Sequence, residues 1–379
     1  MKVLYLLHIS EMHGSTISIL NLIKNSKDKI EPIVLIPKGK NKILESLLYK
    51  NGIKYYQCYR IPISVVPKFN SPVKKTAYLI KLYIIKLLYI IKLLSIIRIE
   101  RPTLIHTNVG VIYEGYRLAK LLKIPHIWHL REYQDRDFKW NFLYGKKYFE
   151  RMLEKSYVVC ITKDIKKYFN LNGPKAVTIY NGIYNNDHIT IEPKEKYFLC
   201  ASRISPNKGQ EDVIKAFASF CKNSSAIDWK LIIAGDGEKE YINYLKNLTI
   251  QLRCDSNIEF IGFQSPDDVF QLMKKAAALV VASQNEGFGR MTAEACFAGT
   301  AVIGRYIGGT KEILDTIEGY SFLTILELTD RLIEISQIIN TTIYQKKIVN
   351  SQDIARKLFS IEQNITNTLY FYKLALHEK

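Results

Sequence analysis

The sequence contains no closely spaced pair of cysteines. Its six, Cys58, Cys160, Cys200, Cys221, Cys254 and Cys296, are scattered over 379 residues without a CxxC motif, which argues against a disulfide framework or a thiolate zinc site. No signal peptide opens the sequence, so a reducing cytoplasm is the expected location. A Walker A motif is missing and no GxGxxG follows the first apolar run, which argues against a P-loop ATPase and a simple NAD enzyme. Zinc-finger spacing, an RNP aromatic signature and an arginine-rich tail are all lacking, so no nucleic-acid partner is expected. Acidic residues are scarce in one half only: residues 1–180 hold 12 Asp+Glu against 32 Lys+Arg, whereas residues 181–379 hold 24 against 22. The formal charge of +18 therefore belongs to the first half, and an anionic membrane surface is the partner that fits it. A clean membrane-spanning run is absent as well. AYLIKLYIIKLLYIIKLLSII, residues 77–97, has the length but contains Lys81, Lys86 and Lys92, each costing about 2.5–3.5 kcal/mol at spanning depth. On a helical wheel Lys74, Lys75, Lys81, Lys86 and Lys92 share one arc, with Ile80, Leu87, Ile90, Ile91 and Leu94 on the remainder. That pattern predicts a basic amphipathic helix lying on the cytoplasmic leaflet.

What the chain has in abundance is alternation. Short apolar or β-branched runs at 2–8, 32–36, 54–58, 103–107, 126–130, 157–161 and 176–180 are separated by helical stretches. The pattern restarts at 196–201, 230–235, 258–262, 278–283 and 301–305. Strands alternating with helices predict parallel, doubly wound sheets. Two such halves predict two Rossmann-like domains facing a central cleft, residues 1–185 and 186–345, with a helical segment 346–379 that returns toward the first domain.

The second half carries the sharper chemistry. SRISPNKGQEDVIKAF places Arg203 and Lys208 on the loop after one strand, where cations and a helix start suit an anion. AGDG puts Gly235 and Gly237 in a turn at the next strand end, either a plain tight turn or backbone lining a nucleotide pocket. EGFGRMTAE, residues 286–294, is a strand-to-helix turn with a carboxylate at each end. Gly287 and Gly289 permit close backbone approach, and Arg290, Met291 and Thr292 open a helix whose N–H groups suit a diphosphate. Carboxylates accept hydroxyl hydrogen bonds, so Glu286 and Glu294 suit a sugar ring and a ribose. In the first half, HISEMHGSTISIL offers Gly14 for tight approach and Ser15 or Thr16 as helix caps.

With these motifs in this order, the chain resembles the retaining GT-B glycosyltransferases of family 4 type. The likeness rests on SRISPNKGQEDVIKAF, AGDG, FIGF and SQNEGFGRMTAEACFAGTAVIGRYIGGTKEIL, with seven residues between the two glutamates. It implies the GT-B fold and a nucleotide-sugar donor, with no metal or other cofactor. It further implies that Glu286 contacts the donor sugar, Glu294 holds the ribose, and Arg203 and Lys208 neutralise the departing diphosphate. Gly14, Gly235, Gly237, Gly287, Phe288, Gly289, Arg290, Met291 and Thr292 would line the donor site. IWHLREY resembles the segment whose histidine lies beside the reacting sugar, which makes His129 the candidate, with Arg131 and Glu132 as neighbours and His106 a weaker match.

Asp135-Arg136-Asp137 has the form of a metal-chelating DxD triplet but lacks the rest of that fold's pattern, and no metal is expected. The expected reaction is transfer of a sugar to an acceptor hydroxyl with retention. The expected acceptor is a lipid-linked glycan of bacterial capsule, exopolysaccharide or lipopolysaccharide synthesis. Beside it stand a nucleotide-sugar epimerase on the same fold and a catalytically silent basic membrane- or nucleic-acid-binding protein.

Overall fold

The first strand of each half runs into an unbroken apolar stretch, VLYL at 3–6 and YFLCA at 197–201, because it lies inside a sheet with both faces covered. In the computed structural model, which describes residues 1–39, 42–138, 140–187, 189–223 and 228–377 without the side chains at 137, 138 and 223, the chain forms two compact units. The first comprises Met1–Gly182 and Ile361–Lys379, the second Ile183–Ser360.

The first unit is built on seven strands: β1 (Lys2–Leu6), β2 (Glu31–Pro37), β3 (Lys54–Cys58), β4 (Leu104–Thr107), β5 (His126–Leu130), β6 (Tyr157–Cys160) and β7 (Ala176–Thr178). They are all parallel, in the order β3-β2-β1-β4-β5-β6-β7. The second unit has six: β8 (Glu195–Ala201), β9 (Lys230–Ala234), β10 (Ile258–Gly262), β11 (Ala276–Val281), β12 (Ala301–Arg305) and β13 (Tyr320–Phe322), again parallel, in the order β10-β9-β8-β11-β12-β13. In each sheet the chain winds outward from its first strand, then crosses to the other side. The order reverses between β1 and β4, and between β8 and β11. At such a reversal the loops leave in opposite directions, and ligands bind in the crevice outside the carboxyl ends of the strands.

Helices cover the sheets. Those used below are α1 (Gly14–Lys24), α2 (Pro72–Glu100), α3 (Gln210–Asn223), α4 (Arg290–Phe297), α5 (Gly308–Ile317), α6 (Thr342–Phe359) and α7 (Ile361–His377). The extended residue Ser360 (φ −70°, ψ 153°) separates α6 from α7. Ile361, Ile365, Leu369 and Tyr372 of α7 join the core that Val3, Tyr5, Ile19 and Ile23 form in the first unit. The core of the second unit gathers around Phe198, Phe217, Phe220 and Trp229, with Phe198 and Trp229 stacked at 4.9 Å.

Helix α2 departs from the expected wheel. Pro72 starts it, and Arg101 ends it in the left-handed conformation (φ 49°) just before Pro102. Lys86 does not share the exposed arc of the other lysines: it is buried, with Nζ 3.7 Å from the buried Glu114 carboxylate and 3.1 Å from Tyr144 Oη. Burial pulls the Lys86 ammonium below its usual range while Glu114 opposes the shift. The outward face is apolar instead, carried by Ile80, Ile84, Leu87, Leu88 and Ile91, each more than half exposed, with Lys74, Lys75 and Lys81 also exposed. Among the described residues no helix is long and apolar enough to cross a membrane.

Candidate functional site

In the second unit the loops at the carboxyl ends of β8, β9, β11 and β12 are locked together through backbone contacts that only glycine allows. After β8, the Ser202 and Ile204 amides bond to the carbonyls of Ala234 and Asp236. A β-carbon on Gly235 (φ +145°) would lie 1.9 Å from the Ser202 carbonyl oxygen, and one on Gly237 would lie 2.1 Å from that of Ile204. The α-hydrogen faces of the AGDG glycines are therefore turned to the chain's own backbone. Gly209 (φ +74°) is pressed in the same way against the Ala282 carbonyl, and Gly309 against Phe288. The Gly309 amide bonds to the Glu286 carbonyl at 2.8 Å, and the Gln284 amide to that of Asn207 at 2.9 Å.

This frame sets the charged side chains. Pro206–Lys208 is a single 3-10 turn ended by Gly209, so Lys208 precedes α3 rather than opening it. Buried Gln210, a residue the motif reading passed over, donates to Ser202 Oγ (2.9 Å) and the Arg203 carbonyl (3.0 Å) and holds the loop in shape. Lys208 Nζ reaches Glu286 Oε2 at 3.1 Å. Beneath the pair, at the carboxyl ends of β8 and β11, lies a cavity of about 30 Å³ lined by Cys200, Ser202, Val281, Ser283, Gly289 and Met291. Arg203 is exposed on the same loop.

Gly289 (φ +87°) starts α4 without a capping side chain or an acidic residue in the first turn, so the N–H groups of Arg290, Met291 and Thr292 lack the usual side-chain acceptor. Glu294, one turn on, accepts from Arg290 Nε at 2.7 Å. Burial raises the Glu294 carboxyl above its usual range, and Arg290 works against that rise. Arg290 Nη1, Thr292 Oγ1 and Thr310 Oγ1 are buried without a hydrogen-bond partner among the described residues. Each such atom costs about 1–3 kcal/mol unless a ligand meets it. Phe288 turns inward onto Phe359 of α6, and Gly287 is half-buried.

In the first unit, β5 places His129 and Arg131 at its carboxyl end. His129 is 1% exposed, with its Nδ1 3.2 Å from His106 Nε2 and 3.4 Å from Arg131 Nη2. Its Nε2 has no partner among the described residues. Arg131 donates from Nε to Asn108 Oδ1 (2.8 Å) and from Nη1 to Asn181 Oδ1 (2.7 Å), which also accepts from Ser18 Oγ (2.8 Å). With no carboxylate among those acceptors, burial brings its guanidinium down to about 9, still a cation near neutrality. Burial and that cation hold His129 and His106 well below the usual imidazole range, so both rings are neutral. Gly14 is the first residue of α1, and a β-carbon there would meet open space. The N-cap is His13, which makes no side-chain cap; Ser15 and Thr16 lie inside the first turn and do not cap it.

Asp135 accepts from the Tyr168 hydroxyl at 2.8 Å through both oxygens, and the Asp137 side chain lies outside the described residues. Among the described residues no group of three or more His, Cys, Asp or Glu could hold a metal ion.

Residues 185–322 match the family model of glycosyl transferases group 1, a stretch that includes Arg203, Lys208 and the whole of 286–294. The chain is 31% identical over 211 residues to an uncharacterized glycosyltransferase of Methanocaldococcus jannaschii, covering 55% of this chain and 56% of that protein. It is 30% identical over 180 residues to the O-antigen chain mannosyltransferase RfbU of Salmonella typhimurium, covering 45% and 49%. The chain thus spans about half the length of the curated relatives it matches. Among solved structures, Anabaena HepE in complex with UDP aligns with a TM-score of 0.78 at 19% identity over 99% of this chain and 100% of that one. A glycosyltransferase from Rickettsia africae aligns with a TM-score of 0.78 at 18% identity over 100% and 99%. The fold of this chain is the GT-B fold.

Proposed function

We propose that the chain is a glycosyltransferase that moves a sugar from a nucleotide-diphosphate donor to an acceptor hydroxyl, with retention, in the manner of family 4. The observation that carries this reading is the set of open polar valences around the 286–294 turn. An uncapped helix start and the unpartnered Arg290 Nη1, Thr292 Oγ1 and Thr310 Oγ1 adjoin two carboxylates that are each already paired with a cation. In this reading the diphosphate draws Lys208 away from Glu286, which frees the Glu286 carboxylate for the donor-sugar hydroxyls. Arg203 and the first-turn N–H groups of α4 share the charge that grows on the leaving group. Preorganised cations and dipoles of this kind are commonly the largest catalytic contribution, and the reading calls on the chain's own cations rather than on a metal. Glu294 takes the ribose, and His129 is assigned to the sugar being transferred. The match to RfbU, an O-antigen mannosyltransferase by name, supports a surface-glycan acceptor.

The reading extends to a lipid-linked acceptor and peripheral attachment to the cytoplasmic face of the membrane. Its support is the exposed apolar stripe of α2 beside Lys74, Lys75 and Lys81. A cavity of about 670 Å³ on the same helix, lined in part by Phe69, Leu79, Tyr83, Phe142, Lys68 and Lys75, suits an isoprenoid or acyl chain with a phosphate head.

The test is incubation of the full chain with a panel of nucleotide-diphosphate sugars, following nucleotide release and the fate of the sugar by mass spectrometry. Nucleotide release with sugar appearing on an acceptor or on water supports transfer. Isomerised nucleotide sugar would replace it with epimerisation. No binding or turnover of any donor would leave a catalytically silent protein.

A further inference from the structure

We propose that His106, Tyr372 and Arg131 are positioning residues that fix His129 as a hydrogen-bond donor through Nε2–H, aimed at an oxygen of the ligand. The assignment follows from which atoms are able to donate. A guanidinium has donors and no acceptor, so the His129 Nδ1 that faces Arg131 Nη2 at 3.4 Å must present its lone pair. In a neutral ring the proton is then on Nε2. His106 Nε2, 3.2 Å from the same lone pair, must also donate, which makes His106 Nδ1 an acceptor. Tyr372 Oη, 2.6 Å away, is the donor that satisfies it. The single hydroxyl proton of Tyr372 is thereby directed to His106 Nδ1 at 2.6 Å rather than to Tyr5 Oη, the other oxygen within its reach at 3.2 Å. Every donor in the row Tyr372, His106, His129 points the same way, toward His129 Nε2.

Arg131 anchors the far end. Asn108 and Asn181 clamp two of its nitrogens at 2.8 and 2.7 Å, so the third is not free to turn from His129. The row ends on a buried N–H with no partner among the described residues. Leaving such a donor empty costs about 1–3 kcal/mol; an acceptor oxygen of a ligand, such as a sugar hydroxyl or ring oxygen, removes that cost. Tyr372 comes from α7 and stands 266 residues beyond His106 in sequence, so the last helix of the chain sets the proton position at a residue on β5.

This inference goes beyond the sugar-transfer reading, and its first test does not depend on it. Nitrogen-15 histidine spectra of the unliganded chain, with His129 identified by its loss in His129→Gln, report which ring nitrogen carries the proton. The expected result is Nε2–H and bare Nδ1 for both His129 and His106. A proton on Nδ1 of His129, or averaging between its tautomers, overturns the proposal. In Tyr372→Phe, which removes one hydroxyl and keeps the ring, His106 is expected to lose its fixed tautomer and His129 to begin averaging. His106→Gln, which keeps an amide donor toward Nδ1, is expected to preserve the His129 pattern that His106→Leu loses. An unchanged His129 pattern in both Tyr372→Phe and His106→Leu would reduce these residues to packing. With a donor that turns over, Tyr372→Phe is expected to lower kcat about 2- to 10-fold, the scale of one net hydrogen bond, at unchanged KM. A fixed Nε2–H without any turnover would count against sugar transfer and leave the positioning intact.

Discussion

Replacing Glu286 by glutamine separates the two tasks that the geometry assigns to its carboxylate. Glu286 Oε2 lies 3.1 Å from Lys208 Nζ, with 23% and 27% of the two side chains exposed. Partly solvated pairs of this kind contribute about 0.2–1 kcal/mol. Neutralising the carboxylate therefore lowers stability by about 1 kcal/mol or less, roughly 2–4 °C in Tm for units of this size. If the same carboxylate holds the donor sugar in the transition state, its loss removes about 2–4 kcal/mol, which is about 30- to 900-fold in kcat. The two magnitudes are far enough apart to decide between a structural ion pair and a catalytic one. The assay is nucleotide release at saturating donor, run beside thermal unfolding of the same preparation. Lys208→Met is expected to fall in the same range. The double variant should lose less than the sum, because the two side chains touch and serve one ligand. A folded Glu286→Gln protein with kcat within about threefold of the wild type would refute the reasoning.

Glu294→Ala is expected to weaken binding of donor and of free nucleotide alike, read by isothermal titration, whereas an effect on kcat alone would remove the ribose assignment. Arg203→Ala, with an exposed side chain and no packing to lose, should cost about 2–4 kcal/mol in kcat/KM with unchanged Tm; kinetics identical to wild type would place the phosphate contact elsewhere. His106 and His129 are held well below the usual imidazole range and His126 is pushed down to about 3, each chiefly by burial. Their contribution to stability is therefore present above the unfolded value near 6.5 and is lost as pH falls below it, by up to about 4 kcal/mol per pH unit for three protons. Glu294, whose carboxyl is raised, opposes this with a single proton. Urea unfolding at pH 7.5, 6 and 5 measures the slope, and equal stability at all three would contradict the neutral assignment. The Lys74→Gln, Lys75→Gln, Lys81→Gln variant should sediment less with anionic vesicles than wild type at low salt, each lysine being worth about 1 kcal/mol. Salt should close the gap, and equal binding by both proteins would reject docking through α2.

The parts of the fold that could be read from sequence are those where burial on both faces writes an apolar run. KVLYL, KLIIA and AAALVV are central strands and could be little else. Tyr320–Phe322, three residues paired along one side of β12, is too short to leave such a run and was not foreseen. Lys86 was misplaced because a wheel counts lysines as solvent-facing, and only the fold brings Glu114 and Tyr144 within reach of it. At the candidate site, EGFGRMTAE and the loop with Lys208 were legible because chemistry and turn geometry fall within a few adjacent residues. The row Tyr372, His106, His129 was not, since its members are drawn from α7, β4 and β5 and no local pattern joins them. Gln210 was passed over for a related reason: its work is to hold a backbone loop, and a glutamine at a helix start gives no local sign of that.

The excursion of the chain through the second unit before α7 completes the first has a consequence for synthesis. Residues leave the ribosome in order. When Gly182 emerges, the first unit still lacks Ile361, Ile365, Leu369 and Tyr372 from its core. The second unit, continuous from Ile183 to Ser360, has its whole sequence sooner. During translation the half that begins later is thus the first able to close. A nascent chain stopped between Ser360 and Tyr372 carries the whole sequence of the second unit, the 286–294 turn included, and a His106 without its hydroxyl donor.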